Sequence, residues 1–318
     1  MKVIVPVEMK DSRLISTNIP EDDYDEYSSG TTYNEGDRVI VTTPNIHKIY
    51  ECVSTDPVSG VYPPDDTSDP PKWLEVGATN RWRLFDAKIG SATSGEETFT
   101  LADYSVEGDN NSGIAYHLRP DELADSVSIF GVDALYFDII IKVNGVTEYE
   151  RRVLLGGSLE NSNWYSYFFQ PIRRVNQVVL TDLPLNQEKD IYISFVEPSS
   201  EDPVVGEVVI GRSYEIAKSL YGTSLGILDF SRKERDDFGN FQIIERGYAD
   251  TMDVDMSILN EDITFVKRLL SDLRAKPAVY IAGECIEGTS VYGYYTDFSV
   301  TISGPERSDA SITIEGLI

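Results

Sequence analysis

The chain has 318 residues, with 54 acidic and 27 basic side chains and a formal net charge of −27. This charge argues against a protein that binds nucleic acid or an anionic membrane surface, because both partners require a basic face. The 41% of hydrophobic and 11% of aromatic residues exclude a disordered chain, and the length allows two or three folded domains.

The start of the chain and its two cysteines predict a protein without an export signal or a disulfide framework. The apolar run after Met1 is short and is broken by Pro6 and Glu8, so we expect neither a signal peptide nor a membrane helix. Cys52 and Cys285 lie far apart in sequence, and we predict two buried free thiols. Synthesis in a cytoplasm without export follows from these expectations.

Residues 1–29 predict an N-terminal arm or adaptor. A short strand is expected at Val3–Val7. The segment Glu21–Glu26 then carries five acidic side chains. We interpret this run as a solvated face and not as a metal site, because a run of like charges usually forms exposed surface.

Residues 30–89 predict a small β domain rich in aromatic side chains. Strands are expected at Val39–Thr43 and Ile49–Ser54, followed by a long loop rich in Pro and Asp. So small a unit cannot bury all its aromatic residues deeply, so some of them are expected to contact a glycan or a protein partner. Trp73 is predicted to be exposed, whereas Trp82 is predicted to be packed inside. The full set of predicted contact residues is Tyr33, Tyr50, Trp73 and Trp82.

Two parts of this domain carry resemblances to known proteins. The Tyr-x-x-Gly-Asp-x-Val pattern at Tyr33–Val39, the strand at Tyr50–Cys52 and the closing Trp73 resemble small chitin-binding-type carbohydrate modules. The phrase Asn80–Asp86, which reads NRWRLFD, resembles a phrase that recurs in structural proteins of long-tailed bacteriophages. The first resemblance implies that aromatic rings stack on sugars, and the second implies a virion part.

Residues 96–200 predict a β-sandwich, separated from the aromatic domain by a linker at Gly90–Gly95. The strongest local signal is the pair Asn144-Gly145 between two apolar strands, because a type I′ hairpin turn needs positive φ at both positions. The aromatic patch Trp164–Phe169 is interpreted as core or subunit contact, with a sugar platform as the alternative. The expected strands are Phe99–Leu101, Ser126–Phe130, Leu135–Val143, Thr147–Leu155 and Ile191–Val196.

Residues 204–318 predict a β-rich C-terminal domain with one amphipathic helix at Glu261–Lys276. Asn260 is the predicted N-cap, an apolar stripe repeats with a period of 3.6 residues, and Pro277 ends the helix. The expected strands are Val208–Ile210, Thr223–Phe230, Gln242–Ala249, Met252–Ile258, Ala278–Ile281, Asp297–Ile302 and Ser311–Glu315. The predicted fold class is therefore mainly β and multidomain.

The sequence predicts no enzyme, no cofactor and no metal centre. Gly222–Gly226 matches the Gly-x-Ser-x-Gly elbow of hydrolases, but a strand continues after it, and His47 and His117 both precede it. The segment Glu107–Asn111 could bind Ca²⁺, although an Asp- and Asn-rich turn is the favoured interpretation. With 54 acidic residues, no pair of carboxylates is singled out for glycoside hydrolysis.

The stretch Asp229–Asp237 concentrates both signs of charge in a chain that is short of cations. Arg232, Lys233 and Arg235 are predicted subunit contacts, where basic side chains meet the acidic faces of neighbours. A plain exposed loop is the alternative. This stretch also resembles segments of phage tail proteins, as does the later Arg246–Asp250.

These observations favour a structural component of a long-tailed phage, at the tail tip or baseplate. We expect a homo-oligomer that contacts other tail proteins, is assembled in the host cytoplasm and ends in the virion. Its aromatic domain would be displayed toward a host-surface glycan. The alternatives are a carbohydrate-binding adhesin without a structural role and a polysaccharide depolymerase, for which the sequence offers no distinguishing residues.

Overall fold

The structure is a computed structural model that describes residues 1–95, 97–98, 104, 106, 112–156, 174–197, 202–235, 241–283 and 288–318. Within these ranges the chain forms four antiparallel sheets and one α-helix, which confirms the prediction of a mainly β protein. Four sequence predictions lie outside the described residues: the strand Phe99–Leu101, the turn Glu107–Asn111, the aromatic patch Trp164–Phe169, and Cys285.

The first eleven strands are β1 (Lys2–Pro6), β2 (Leu14–Thr17), β3 (Arg38–Val41), β4 (Lys48–Cys52), β5 (Trp73–Ala78), β6 (Thr93–Ser94), β7 (Glu97–Thr98), β8 (Ser112–Leu118), β9 (Ser126–Asp133), β10 (Tyr136–Val143) and β11 (Val146–Leu154). The next eleven are β12 (Gln177–Leu180), β13 (Lys189–Val196), β14 (Val204–Glu215), β15 (Lys218–Ser219), β16 (Ser224–Asp229), β17 (Arg232–Arg235), β18 (Phe241–Ile244), β19 (Tyr248–Leu259), β20 (Ala278–Ile281), β21 (Ser290–Thr301) and β22 (Arg307–Gly316). The helix α1 spans Ile263–Asp272, and short 3-10 turns lie at Asp11–Arg13, Pro63–Asp65 and Arg83–Phe85.

The largest sheet has eleven strands in the order β12-β9-β14-β1-β20-β21-β22-β19-β15, with β6 added to β14 and β16 added to β19. The N-terminal strand β1 lies in its middle, where Val3 and Ile4 are fully buried. The sheet therefore crosses the predicted domain boundaries near residues 29 and 200. Within the predicted linker Gly90–Gly95, Thr93 is buried and belongs to β6.

The second sheet has the order β11-β10-β13-β8-β2, with β7 added to β8. Its inward residues form one hydrophobic cluster with β9 and β14 of the large sheet. The cluster includes Tyr116, Phe137 and Phe195 from the second sheet and Ile129 and Ile210 from the large sheet. Two sheets thus pack face to face, as predicted for a β-sandwich. One layer is the six-stranded sheet, and the other is the large sheet, which also contains strands from the C-terminal part of the chain.

The hairpin predicted at Asn144-Gly145 is confirmed. Both residues have positive φ, 52° and 79°, and Val143 pairs directly with Val146 across the turn. These φ values are those that a two-residue type I′ turn requires. A local signal of this kind is readable from sequence because the turn chemistry fixes the pairing next to the turn, although the register shifts between Ile141 and Lys142.

The predicted helix is confirmed as α1, but it is shorter and its predicted cap is wrong. Val266 and Leu270 of α1 are buried against the C-terminal half of the large sheet. Asn260 does not cap the helix, because its side-chain amide donates to the carbonyl of Gly304 at 3.0 Å and its carbonyl oxygen accepts from Ser308. A long-range contact with the β21–β22 turn therefore replaces the local capping bond.

A buried ion pair stabilises the second sheet. Asp138 on β10 is fully buried, and the guanidinium of Arg152 on the adjacent β11 donates to both of its carboxylate oxygens at 2.7 Å. The backbone amide of Val106 also donates to Asp138 at 3.1 Å. The carboxylate is thus paired and hydrogen-bonded, as a buried charge must be.

Replacing one partner of this pair should destabilise the fold. We expect Arg152→Met to lower the free energy of unfolding by about 3–5 kcal/mol, because it leaves the Asp138 carboxylate buried without a counter-charge. The matched control is Arg151→Met, one residue away, which removes an exposed ion pair with Asp182 and should cost at most about 1 kcal/mol. Urea denaturation measures both values, and equal losses would contradict a special role for the buried pair.

Candidate interaction surfaces

The small aromatic domain is a three-stranded sheet, β3-β4-β5, with its own hydrophobic core. Trp73 belongs to this core and is only 5% exposed. Its indole N–H donates to the carbonyl of Val61 at 3.1 Å, and its ring packs edge-on against Tyr33 and Tyr27. The prediction that Trp73 is exposed is therefore wrong. The ring is covered by Val61 in the loop between β4 and β5 and by Tyr27, which precedes β3 in the chain.

The other predicted contact residues of this domain are also largely buried. Tyr33 pairs through its backbone with Val58 and lies in the same core, as does Tyr50. Cys52 is a buried free thiol, as predicted. Among the described aromatic residues of this domain Tyr62 is exposed, as is Tyr24 of the preceding arm, which lies against Arg38. A sugar-stacking platform would therefore involve different rings from those predicted.

Trp82, in contrast, is packed inside the protein, as predicted. It is fully buried in the cluster between the two large sheets. The ring centre of Trp82 lies 5.1 Å from that of His47 and 6.1 Å from that of Phe85, and Phe85 packs edge-on against Tyr116. The phrase Asn80–Asp86 is thus a packing element that joins the aromatic domain to the main core.

The same phrase holds part of the acidic run in place. Glu21 accepts hydrogen bonds from Thr79 at 2.8 Å and from Arg81 at 3.3 Å, and its carboxylate lies 2.9 Å from Nδ1 of His47. Burial alone would raise the pKa of Glu21, but the hydrogen bonds from His47 and Thr79 and the nearby positive charges outweigh it and lower the pKa. The interpretation of this run as a plain solvated face is wrong for Glu21.

A cleft of about 840 Å³ lies where the aromatic domain, the large sheet and the end of α1 meet. Its lining is mostly apolar, and the predicted contact residue Tyr50 is part of it. The charged side chains that line it carry both signs, since Lys48 and Lys276 occur together with Glu8 and Asp272. This mixture selects neither an anionic nor a cationic ligand.

Glu207 on β14 also lines the cleft but is almost completely buried. Its carboxylate accepts a hydrogen bond from the backbone amide of Ala87 at 3.0 Å. Burial, with the charge of neighbouring Asp86, raises the pKa of Glu207 well above its ordinary value of 4.5. Burial likewise raises the pKa of Asp86 to about 6. Two acids with raised pKa values therefore lie where the aromatic domain joins β14.

A hairpin at one edge of the large sheet, which we call the edge hairpin (Ser224–Leu259), is exposed along its described strands β16 and β17. Its first half, β16, pairs with β19 and belongs to the sheet. Its outer half, β17 paired with β18, is a separate two-stranded ribbon. Every described residue of β16 and β17 is exposed. Strands β16 and β17 thus present both of their faces to the surroundings, whereas one face of β19 is buried.

The edge hairpin carries large apolar side chains that nothing in the described chain covers. Ile227 is 70% exposed and Ile243 is 64% exposed. The exposed apolar residues of the hairpin are Leu225, Ile227, Leu228, Phe230, Phe241, Ile243, Ile244 and Tyr248. Many exposed large apolar side chains in one segment are typical of a protein–protein interface.

The predicted subunit-contact residues Arg232, Lys233 and Arg235 lie on β17 of the same hairpin. Lys233 forms an ion pair with Asp229 at 2.6 Å, and the guanidinium of Arg235 lies over the ring of Phe241 at 4.4 Å. These side chains are exposed and therefore accessible to a partner, and their role in subunit contact stays a prediction.

The motifs considered for catalysis do not come together in the described structure. Ser224 of the Gly-x-Ser-x-Gly pattern begins the exposed strand β16, which confirms the predicted strand continuation. His47 faces Glu21, and His117 lies on another sheet, where it contacts Asp190 at 2.9 Å and stacks on Tyr192. Within the described ranges there is no group of three or more potential metal ligands, and no helix is long and apolar enough to cross a membrane.

The burial of Trp73 predicts a large effect on stability. We expect Trp73→Ala to lower the stability of the aromatic domain by about 3–5 kcal/mol, because it removes a packed ring and leaves a cavity. The adjacent Leu74 is 56% exposed, so Leu74→Ala should change stability by less than about 0.5 kcal/mol. Hydrogen exchange of the domain's amides measures both. Equal protection in the two variants would show that Trp73 does not support the core.

The buried Glu207 predicts a pH-dependent stability. Its folded-state pKa is raised, so its contribution is fully present below about pH 4.5 and is lost as the pH rises through the raised value. Glu207→Gln removes this loss and should stabilise the protein by about 1–3 kcal/mol at pH 8, with little effect at pH 4.5. Thermal unfolding across this pH range tests it against the exposed control Glu148→Gln. A pH-independent difference between wild type and Glu207→Gln would contradict the prediction.

No protein-family model matches the chain, and no curated protein matches it significantly. The geometry of its surfaces and the distribution of its charge therefore carry the functional argument.

Proposed function

We propose that this chain is a structural component of a bacteriophage tail, in the tip or baseplate region, and that it assembles through the edge hairpin. The observation that carries the proposal is the set of eight exposed large apolar side chains on that one hairpin. Burying them against a partner releases water from apolar surface, which is the main driving force of protein association.

The form of the edge hairpin supports assembly. Natural proteins usually protect sheet edges with charges, proline or a covering element, because an exposed edge strand pairs readily with other chains. Strand β16 has no proline, and its one charged residue is Asp229 at its end. An open edge lowers solubility because it pairs with other chains. A partner that covers this edge in the assembled particle would remove that disadvantage.

The distribution of charge also supports assembly at this place. Between Ser224 and Arg246 the chain has four basic and five acidic residues, a net charge of −1, whereas the whole chain has −27. Acidic surfaces repel one another and reduce non-specific association. An acidic partner would therefore approach this protein most easily at the edge hairpin.

The phrase Asn80–Asp86, which resembles a phrase of phage structural proteins, is consistent with this proposal. In this chain Trp82 and Phe85 pack in the core, and Arg81 holds Glu21. The phrase therefore contributes to architecture. The adhesin alternative is weaker, since Trp73 and Trp82 are buried and the exposed rings in this region are Tyr62 and Tyr24 of the preceding arm.

The proposal predicts that a charge on the apolar hairpin blocks tail assembly. In a phage that lacks this gene and receives it from a plasmid, we expect Ile243→Asp to reduce incorporation into tails at least about tenfold, because a carboxylate is costly in an apolar contact. Val146→Asp is the matched control, since Val146 is equally exposed on the distant β10–β11 turn. Purified tails are analysed by quantitative mass spectrometry.

Two results would contradict the proposal. One is incorporation of Ile243→Asp at the wild-type level. The other comes from gene context, because a structural tail gene is expected beside genes for a tape-measure protein and a tail hub, and a genome without them would exclude a tail role.

A further inference from the structure

The cleft between the aromatic domain, the large sheet and the end of α1 has the size and lining of a small-molecule site. Its volume of about 840 Å³ lies within the range of about 300–1,000 Å³ that is typical of such sites. Apolar side chains enclose it from three directions, with Ile46 and Tyr50 from the aromatic domain, Val209 from β14 and Leu269 from α1. A small molecule held between these elements would bury most of its surface.

The charged side chains of the cleft favour an uncharged ligand. Apart from Glu207 there are four of them, two basic and two acidic. Lys48 forms an ion pair with Glu75 at 2.8 Å, and Glu8 forms one with Lys10 at 3.3 Å. The other two lie at the end of α1 and have opposite signs. The four charges sum to zero, so the cleft provides no net charge that would compensate an ion for its lost hydration.

Glu207 and Tyr292 form a polar pair in the wall of this apolar cleft. Glu207 is 3% exposed and Tyr292 is 4% exposed, and their side chains hydrogen-bond to each other. The carboxyl group of Glu207 also accepts hydrogen bonds from the backbone amides of Ala87 and Lys88. While Glu207 is protonated, the pair has two hydroxyl protons, and the hydrogen bond between the two side chains uses one of them. The other proton can be donated to an acceptor atom in the cleft.

We propose that this cleft binds an uncharged, mainly apolar small molecule that carries a hydrogen-bond acceptor such as a carbonyl or ether oxygen. The apolar body lies between Tyr50, Val209 and Leu269, and the acceptor receives the remaining proton of the Glu207–Tyr292 pair. Burial of apolar surface supplies the affinity, and the polar contact fixes the orientation. The inference does not rest on the proposed tail function, because none of the residues that line the cleft belongs to the edge hairpin.

The first test is a fluorescence titration of the full-length chain with Nile red, a neutral dye that has an aromatic body and a carbonyl group. We expect a dissociation constant on the order of 10 µM for wild type. For Leu269→Trp it should be at least about tenfold higher, because the larger ring occupies the cleft. The control is Thr264→Trp, which places the same ring at an exposed position of α1 and should leave the affinity unchanged. Circular dichroism verifies that both variants fold.

Two outcomes of this titration would overturn the proposal. One is the absence of saturable Nile red binding by wild type. The other is that Leu269→Trp binds as tightly as Thr264→Trp, because the dye would then lie on other apolar surface, such as the edge hairpin. If Leu269→Trp does not fold, Ile46→Trp replaces it, since this variant fills the cleft from the side of the aromatic domain.

The second test asks whether Glu207 donates to the ligand. Burial raises the pKa of Glu207 well above 4.5, so its proton is present at pH 5 and is lost as the pH rises through the raised value. We expect wild type to bind Nile red at least about tenfold more weakly at pH 8 than at pH 5. Glu207→Gln has an amide N–H donor in place of the acid proton, so its affinity should be the same at both pH values.

Other titratable and charged groups surround Glu207 and are retained in Glu207→Gln. They are Asp86, Lys88 and Tyr292 close to the carboxyl group, and Glu8, Lys48, Tyr50, Tyr214, Asp272 and Lys276 in the cleft. If Glu207→Gln loses as much affinity at pH 8 as wild type does, one of these groups causes the pH dependence. That result, or a wild-type affinity that does not change between pH 5 and pH 8, would overturn the role of Glu207 as the donor.

Discussion

The architecture depends on the insertion of β1 between β14 and β20. Lys2–Pro6 pairs with β14 on one side, and its first residues pair with β20 on the other. Without this strand the large sheet would divide into a part that packs on the second sheet and a part that packs on α1. Val3 faces the cluster beneath α1, whereas Ile4 faces the opposite side. A single short strand thus joins both halves of the molecule, and it fixes the position of the edge hairpin relative to the core.

Local patterns in the sequence predicted local structure well. The type I′ turn at Asn144-Gly145 and the apolar stripe of α1 depend only on neighbouring residues, and both are confirmed. The partners of β1 were not predictable, because pairing between strands 200 residues apart leaves no local signal. The burial of Trp73 has the same origin. Tyr27 and the loop residue Val61 pack against its core, and both lie outside the strands that contain the other core residues.

Buried charges are the second class of feature that sequence alone could not reveal. Asp138, Lys189 and Glu207 all lie within strands and are almost completely buried. Charged residues are usually exposed, so each would be assigned to the surface from sequence. Distant segments supply partners that sequence does not indicate: Lys189 donates to the carbonyl of Ala124 as well as to that of nearby Pro184, and Glu207 accepts from Ala87. The edge hairpin shows the opposite error. Its apolar residues correctly predicted strands, but these residues are exposed and not buried.

The geometry of the free edge determines whether association stops or continues. An open filament forms when one edge of a sheet pairs with a different edge of the next copy, because each addition leaves a new edge free. Pairing about a twofold axis uses the same edge of both copies and leaves no second edge hairpin available. The opposite edge of the large sheet, β12, is short, and three of its four residues are half-buried while Leu180 is buried. Within the described residues the two ends of the large sheet therefore differ, with the exposed strand β16 at one end and the largely buried strand β12 at the other.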